Sequence, residues 1–110
     1  MEINEIRITP GFDLGIDILH ILTPKFHESK DPINDLVNSY KFLFERAKRK
    51  NYKNIVSVSI GTGVHGYKHQ DIAKDIIYIL QMLVKKYSIN FTLVLSNYEV
   101  QRIYLNHLNN

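Results

Sequence analysis

The chain has no cysteine in its 110 residues. That excludes disulfides and thiolate metal sites and leaves nothing pointing to an oxidising compartment. No apolar run approaches the length of a membrane span, and the N-terminal stretch MEINEIRITP is too polar for a signal peptide. The expected compartment is therefore the cytoplasm, with no membrane partner. Charge of one sign is also scarce: 14 Lys and Arg against 11 Asp and Glu leave a formal net charge of +3. The densest basic cluster, Lys48, Arg49, Lys50 and Lys53, falls where a helix should end, a place that favours cations through the helix dipole. No aromatics interleave with it to form a stacking platform, so no nucleic-acid partner is expected. The histidines, His20, His27, His65, His69 and His107, show no metal spacing; His65 and His69 straddle a loop rather than share a helical face. His20, in an apolar strand, reads as a hydrogen-bonded core residue. No metal, no cofactor and no catalytic Ser-His-Asp or paired-carboxylate set is expected.

What is present is the composition of an ordinary globular protein, 45% hydrophobic and 23% charged, with the length of one compact domain over residues 1–110. Ile6 and Ile8 alternate with polar residues and read as a strand closed by Pro10 and Gly11; residues 16–22, IDILHIL, form a second strand ended by Thr23 and Pro24. Residues 25–32 are polar and read as a loop, with Asp31 and Pro32 as a helix start. Leu36, Val37, Tyr40, Leu43, Phe44 and Ala47 then recur at helical spacing, so Tyr40 and Phe44 read as core. Residues 55–60 form a third strand. Ile72, Ala73, Ile76, Ile77, Leu80, Leu83 and Val84 mark a second amphipathic helix, residues 91–95 a fourth strand, and Val100, Ile103, Tyr104 and Leu108 a last helix. The order β-β-α-β-α-β-α predicts an α/β layered fold whose sheet is largely parallel in its later part.

Chemistry concentrates in residues 60–67, Ile60-Gly61-Thr62-Gly63-Val64-His65-Gly66-Tyr67, between the third strand and the second helix. Three glycines remove Cβ atoms that would keep a ligand from the backbone, and they allow positive φ, so successive N–H groups can converge. The following helix contributes free N–H groups and its positive dipole end, and ligands of open α/β sheets sit at the carboxyl ends of strands. A Walker loop is excluded, because Tyr67 and Lys68 follow Gly66 where Lys and Ser or Thr would stand. The letters match G-x-G-x-x-G, but the next strand ends Leu95-Ser96-Asn97 without the carboxylate that would hold a ribose. Read by residue type alone, the loop is equally a phosphate cradle or a close strand-to-helix crossing.

Residues 60–67 resemble the diphosphate loop of macro domains, the ADP-ribose-binding modules, some of which hydrolyse ADP-ribosyl groups from proteins. Residues 5–14, EIRITPGFDL, are similar to the family strand that ends Thr-x-Gly-Tyr-Asn-Leu, and residues 18–24, ILHILTP, to its next strand. The later elements follow in the family's order. The resemblance implies a three-layer macro-like fold with a mixed sheet of about four strands. It covers the C-terminal two-thirds of the family pattern, without the adenine-gripping Asp and the first glycine-rich loop around the distal ribose. It implies binding of an ADP-ribose-type small molecule, weak and non-catalytic, through Ile60, Gly61, Thr62, Gly63, Val64, His65, Gly66 and Tyr67. Ser96 and Tyr98 stand near the family's adenine-stacking position, and His65 stands where an aromatic is usual. The family strand that lies centrally, between the strands matching residues 16–22 and 55–60, has no counterpart. Either those two strands close on each other or another chain fills the gap, and a homo-oligomer is expected. The alternatives are a degenerate macro-like oligomeric scaffold without nucleotide binding, and an ADP-ribosyl hydrolase completed by a partner chain.

Overall fold

The computed structural model describes residues 6–9, 17–21, 23, 25–62, 66–95 and 97–108. Its elements run β1 (Ile6–Thr9), β2 (Ile18–Ile21), a 3-10 turn at Phe26–Glu28, α1 (Pro32–Arg49), β3 (Asn54–Val58), α2 (His69–Tyr87), β4 (Asn90–Val94) and α3 (Tyr98–Leu108). The chain is α/β, in the element order expected from its periodicity. The 3-10 turn falls in the segment that reads as a polar loop.

Helix α1 starts where its chemistry dictates. The Asp31 carboxylate caps it by accepting from the Asn34 N–H at 3.3 Å, and Pro32 occupies the first turn, where no intrahelical donor is needed. Leu36, Tyr40, Leu43, Phe44 and Ala47 form its buried stripe. The basic residues Lys48 and Arg49 lie exposed in its last turn, and the Lys48 ammonium donates to the Tyr87 carbonyl at 3.3 Å. Helix α2 buries Ile72, Ala73, Ile76, Ile79, Leu80 and Leu83 and ends at Ser88 in the left-handed region, φ 53°. The two stripes meet the inner face of β3 and β4, where Phe91 stacks on Phe44 at 5.5 Å and lies edge-on to Tyr40 at 6.2 Å.

The strands hydrogen-bond as two pairs. β1 and β2 are antiparallel, with Ile6 opposite Ile21 and Thr9 opposite Ile18; β3 and β4 are parallel, with Ile55 opposite Phe91 and Val58 opposite Val94. The sheet is thus smaller than the four connected strands expected, because among the described residues no ladder joins β2 to β3. On β3 and β4 the side chains alternate. Ile55, Phe91 and Leu93 turn to the helices, while Val56 and Val58 are 71% and 67% exposed on the opposite face beside Val94. Strand β3 also ends at Val58, two residues before the apolar run does. The Ile60 N–H leaves the ladder direction and donates to the Tyr40 hydroxyl at 3.0 Å, and Gly61 turns the chain with φ 84°.

Candidate functional site

The loop after β3 is held by its own backbone and by the helices beneath it. The Thr62 hydroxyl donates to the Ser59 carbonyl at 3.1 Å, and the Tyr67 N–H donates to the Gly61 carbonyl at 3.2 Å. Thr62 and Tyr67 form an isolated bridge that closes the loop's neck. Gly61 and Gly66 bracket the loop with φ of 84° and 87°, a region that side-chain-bearing residues rarely occupy. At Gly61 there is a second requirement: a Cβ would stand 2.8 Å from Cδ2 of Tyr67 and 3.2 Å from Cδ1 of Leu36. At Gly66 a Cβ would meet nothing nearer than Cβ of Phe26, at 3.5 Å.

Beneath the loop lies a polar network in an otherwise apolar core. Ser59, which is buried, lies 3.1 Å from the Tyr104 hydroxyl, and that hydroxyl lies 2.9 Å from Nδ1 of His69. α3 thereby ties the end of β3 to the first turn of α2. Burial raises the Tyr104 phenol, opposed by its bond to Ser59, and raises the Tyr40 phenol above its usual range. Both are therefore neutral hydroxyls at physiological pH. Burial lowers the His69 pKa, so its imidazole is neutral where α2 begins. Lys68, at the N-cap of α2, gives no side-chain cap, which leaves the helix's positive end facing the loop.

The residues expected to bind ligand are divided by the structure. Ile60, Gly61 and Thr62 line an open cleft at the end of β3. Tyr67 is buried below the loop, edge-on to Phe26 at 5.5 Å. Its phenol is raised by burial and by the charge of Asp35, against a hydrogen bond with Thr23. Tyr98 is 72% exposed at the start of α3. Gly63, Val64, His65 and Ser96 lie outside the described residues. Among the described residues, no group of three His, Cys, Asp or Glu side chains could hold a metal ion, and no helix is long and apolar enough to cross a membrane.

Three residues at the loop were not singled out by their sequence. Tyr104 reads only as part of a helical stripe, and His69 as half of a rejected metal pair. His27 stands in the 3-10 turn with its ring against Gly66, where a Cβ on the glycine would lie 3.6 Å from Nε2. A tyrosine rather than a phenylalanine on a buried stripe was the available signal for Tyr104, because a buried hydroxyl requires a partner.

Comparison with known proteins bears on this arrangement. The Macro domain family model matches residues 1–76, more than half of the chain. A search of curated protein sequences gives no match. Among solved structures, a glycine-to-valine mutant of the Oceanobacillus iheyensis macrodomain with ADPR superposes with a TM-score of 0.87 at 27% identity, over 99% of this chain and 60% of that one. The Oceanobacillus iheyensis macrodomain with ADP gives a TM-score of 0.86 at 29% identity, over 98% and 58%. The same macrodomain with MES bound gives 0.85 at 29%, over 98% and 59%. The chain therefore spans about three-fifths of the length of these structures. With the family model covering the first two strands, α1, β3 and the glycine loop, the chain belongs to the macro domain family.

Proposed function

We propose that the chain binds ADP-ribose or a related nucleoside diphosphate, weakly and without catalysis, through the loop Ile60–Tyr67. The observation that carries this reading is the pair of positive-φ glycines, Gly61 and Gly66, bracketing a loop that runs from the carboxyl end of a parallel strand into an uncapped helix N-terminus. Such a loop turns backbone donors and a positive dipole end toward one place, the electrostatic requirement of a diphosphate. Macrodomain structures holding ADPR and ADP support the ligand class. In this reading Gly61, Thr62, Gly63, Val64, His65 and Gly66 surround the diphosphate, and Ile60 and Tyr67 support the loop's two ends. Ser96 and Tyr98 meet the nucleoside.

Titration calorimetry with ADP-ribose, ADP and AMP tests this. The diphosphates bind and AMP binds at least about tenfold more weakly, a difference of about 1.4 kcal/mol. Lys68→Glu puts a carboxylate at the N-cap of α2, where it competes with the ligand for the same positive end, and weakens both diphosphates while the melting temperature holds. Equal affinity for ADP and AMP, or indifference to Lys68→Glu, refutes the loop as the site.

One observation favours a second reading, an oligomeric macro-like scaffold that binds no nucleotide. The close approach of Tyr67 gives Gly61 a packing reason of its own, and the valine face of Val56, Val58 and Val94 is uncovered. Heatless titrations together with a dimeric mass by light scattering select this second reading. Release of ADP-ribose from a modified protein, by contrast, would mark a hydrolase completed by a partner chain.

A further inference from the structure

Helix α2 begins differently from the helices on either side of it. In α1 the Asn34 N–H goes to the Asp31 carboxylate, and in α3 the Val100 N–H goes to the Asn97 side-chain oxygen at 3.0 Å. Each is a side-chain cap, which satisfies a free donor and keeps the first turn from fraying. α2 follows Lys68, which supplies no cap. The Asp71 N–H folds back to the Lys68 carbonyl at 3.0 Å, while the N–H groups of His69 and Gln70 meet no acceptor among the described residues. A first turn left open in this way frays unless something else fixes it.

The His69 side chain fixes it from the flank. Its Nδ1 lies 2.9 Å from the Tyr104 hydroxyl, and the two rings meet edge-on with centroids 5.5 Å apart. The same hydroxyl lies 3.1 Å from Oγ of Ser59, whose carbonyl accepts from the Thr62 hydroxyl. A path of hydrogen bonds thus runs from Thr62 in the loop, through Ser59 just beyond β3, to Tyr104 and on to His69. A phenol hydroxyl carries one proton and can also accept, so it serves a serine and an imidazole at once. Tyr104 is the buried residue of α3, 2% exposed. Its ring would bury equally well as phenylalanine, so packing alone gives no reason for the hydroxyl. The neck of the loop has closures of its own, from the Tyr67 N–H to the Gly61 carbonyl and from the Ile60 N–H to the Tyr40 hydroxyl. Those hold the loop to itself and to α1, but neither reaches His69.

The structure assigns Tyr104 the role of positioning residue for the glycine loop. Its hydroxyl replaces the missing cap of α2: it locks the first turn against the end of β3 through the His69 ring. A cap would occupy one of the free N–H groups at that turn, in competition with an anion. An anchor through a side-chain ring leaves them available. Donors already set in place bind without a further ordering cost. The consequence for affinity rests on the nucleotide reading above, whereas the ordering of α2 does not.

Titration calorimetry with ADP and with inorganic pyrophosphate compares the unaltered protein with Tyr104→Phe, His69→Leu and His69→Gln. Tyr104→Phe and His69→Leu are expected to weaken both ligands at least about fivefold, because the donors must then be ordered on binding. His69→Gln recovers most of that loss, since a side-chain amide can pair with the hydroxyl in either direction. Leu83→Val trims the core at the other end of α2; it lowers the melting temperature and leaves both affinities unchanged, which separates positioning from a general loss of stability. A second measurement needs no ligand. The amides of Ala73 and Lys74 close the first turn of α2 onto residues 69 and 70, and in Tyr104→Phe they exchange hydrogen faster while those of Leu80 and Leu83 keep their rates. Undiminished affinity in Tyr104→Phe, no recovery in His69→Gln, an equal loss in Leu83→Val, or unchanged exchange at Ala73 and Lys74 overturns the assignment. Absence of binding by the unaltered protein overturns the nucleotide reading instead, and exchange at Ala73 and Lys74 then decides the assignment by itself.

Discussion

Adding a single methyl group at Gly61 separates two reasons for a glycine there. The first is conformational: at φ 84° an L-residue is strained by about 1–2 kcal/mol. The second is steric. The new Cβ would stand 2.8 Å and 3.2 Å from two ring carbons of Tyr67 and 3.2 Å from Leu36 Cδ1. Neither neighbour can swing into solvent, because both are buried. Overpacking of this kind costs about 1–3 kcal/mol, which brings Gly61→Ala to about 2–5 kcal/mol. Gly66→Ala is the internal control. Its φ of 87° carries the same conformational strain, but its Cβ makes only ordinary contact with Phe26, so about 1–2 kcal/mol is expected. At about 4 °C per kcal/mol for a chain of this size, the melting temperatures fall by about 8–20 °C and about 4–8 °C. Thermal and urea unfolding followed by circular dichroism give both values. In a Tyr67→Leu background the ring is gone, and the added cost of Gly61→Ala falls toward that of Gly66→Ala, with only the Leu36 contact at 3.2 Å left above it. If the two alanine variants lose the same stability, or the Tyr67→Leu background changes nothing, the packing account of Gly61 is wrong.

The other predictions concern the network under the loop. Burial lowers the folded-state pKa of His69 below its ordinary 6.5, so the unfolded chain binds the proton more readily. Stability should therefore decline as the pH drops below about 7, through 6.5 and down to the folded-state value, and His69→Asn should flatten that slope in urea midpoints measured between about pH 7 and pH 5.5; an unchanged slope removes His69 from the account. Tyr104→Phe deletes the hydroxyl shared by Ser59 and His69 and should cost about 1–3 kcal/mol in urea unfolding, since it strands buried polar partners. A loss below about 0.5 kcal/mol would mean that water replaces the hydroxyl.

Much of this molecule is written locally. The stripes from Leu36 to Ala47 and from Ile72 to Leu83 are periodic, and each helix needs only its own residues to declare a buried face. Asp31 and Pro32 mark the start of α1 for the same reason, since capping spans a single turn. Gly61 and Gly66 could be read as loop residues because the conformation they permit is a property of one residue, and the motif from Ile60 to Tyr67 together with residues 5–14, 18–24 and the later elements in order carried the resemblance to the family. Other features depend on contacts between residues far apart in the chain. Ile60 continues a β-branched run and reads as strand; its N–H goes to Tyr40 because α1 passes beneath it. Tyr104 reaches Ser59 across 45 positions and His69 across 35. Val56 and Val58 alternate with Ile55 and Ser57 whether the second sheet face is covered or bare, so their exposure could not be read from the pattern. The same holds for β2 and β3. Their composition specifies strands, but a strand's partner is chosen by what lies alongside it in space, and the contacts of Asp17 with Tyr52, Thr23 with Ser39, and Tyr40 with Ile60 hold these two apart as separate pairs. Local residue order determined the elements and the glycine loop. Only the tertiary structure decided which edges pair and which stay open, because hydrogen bonds between strands are satisfied by spatial neighbours and not by neighbours along the chain.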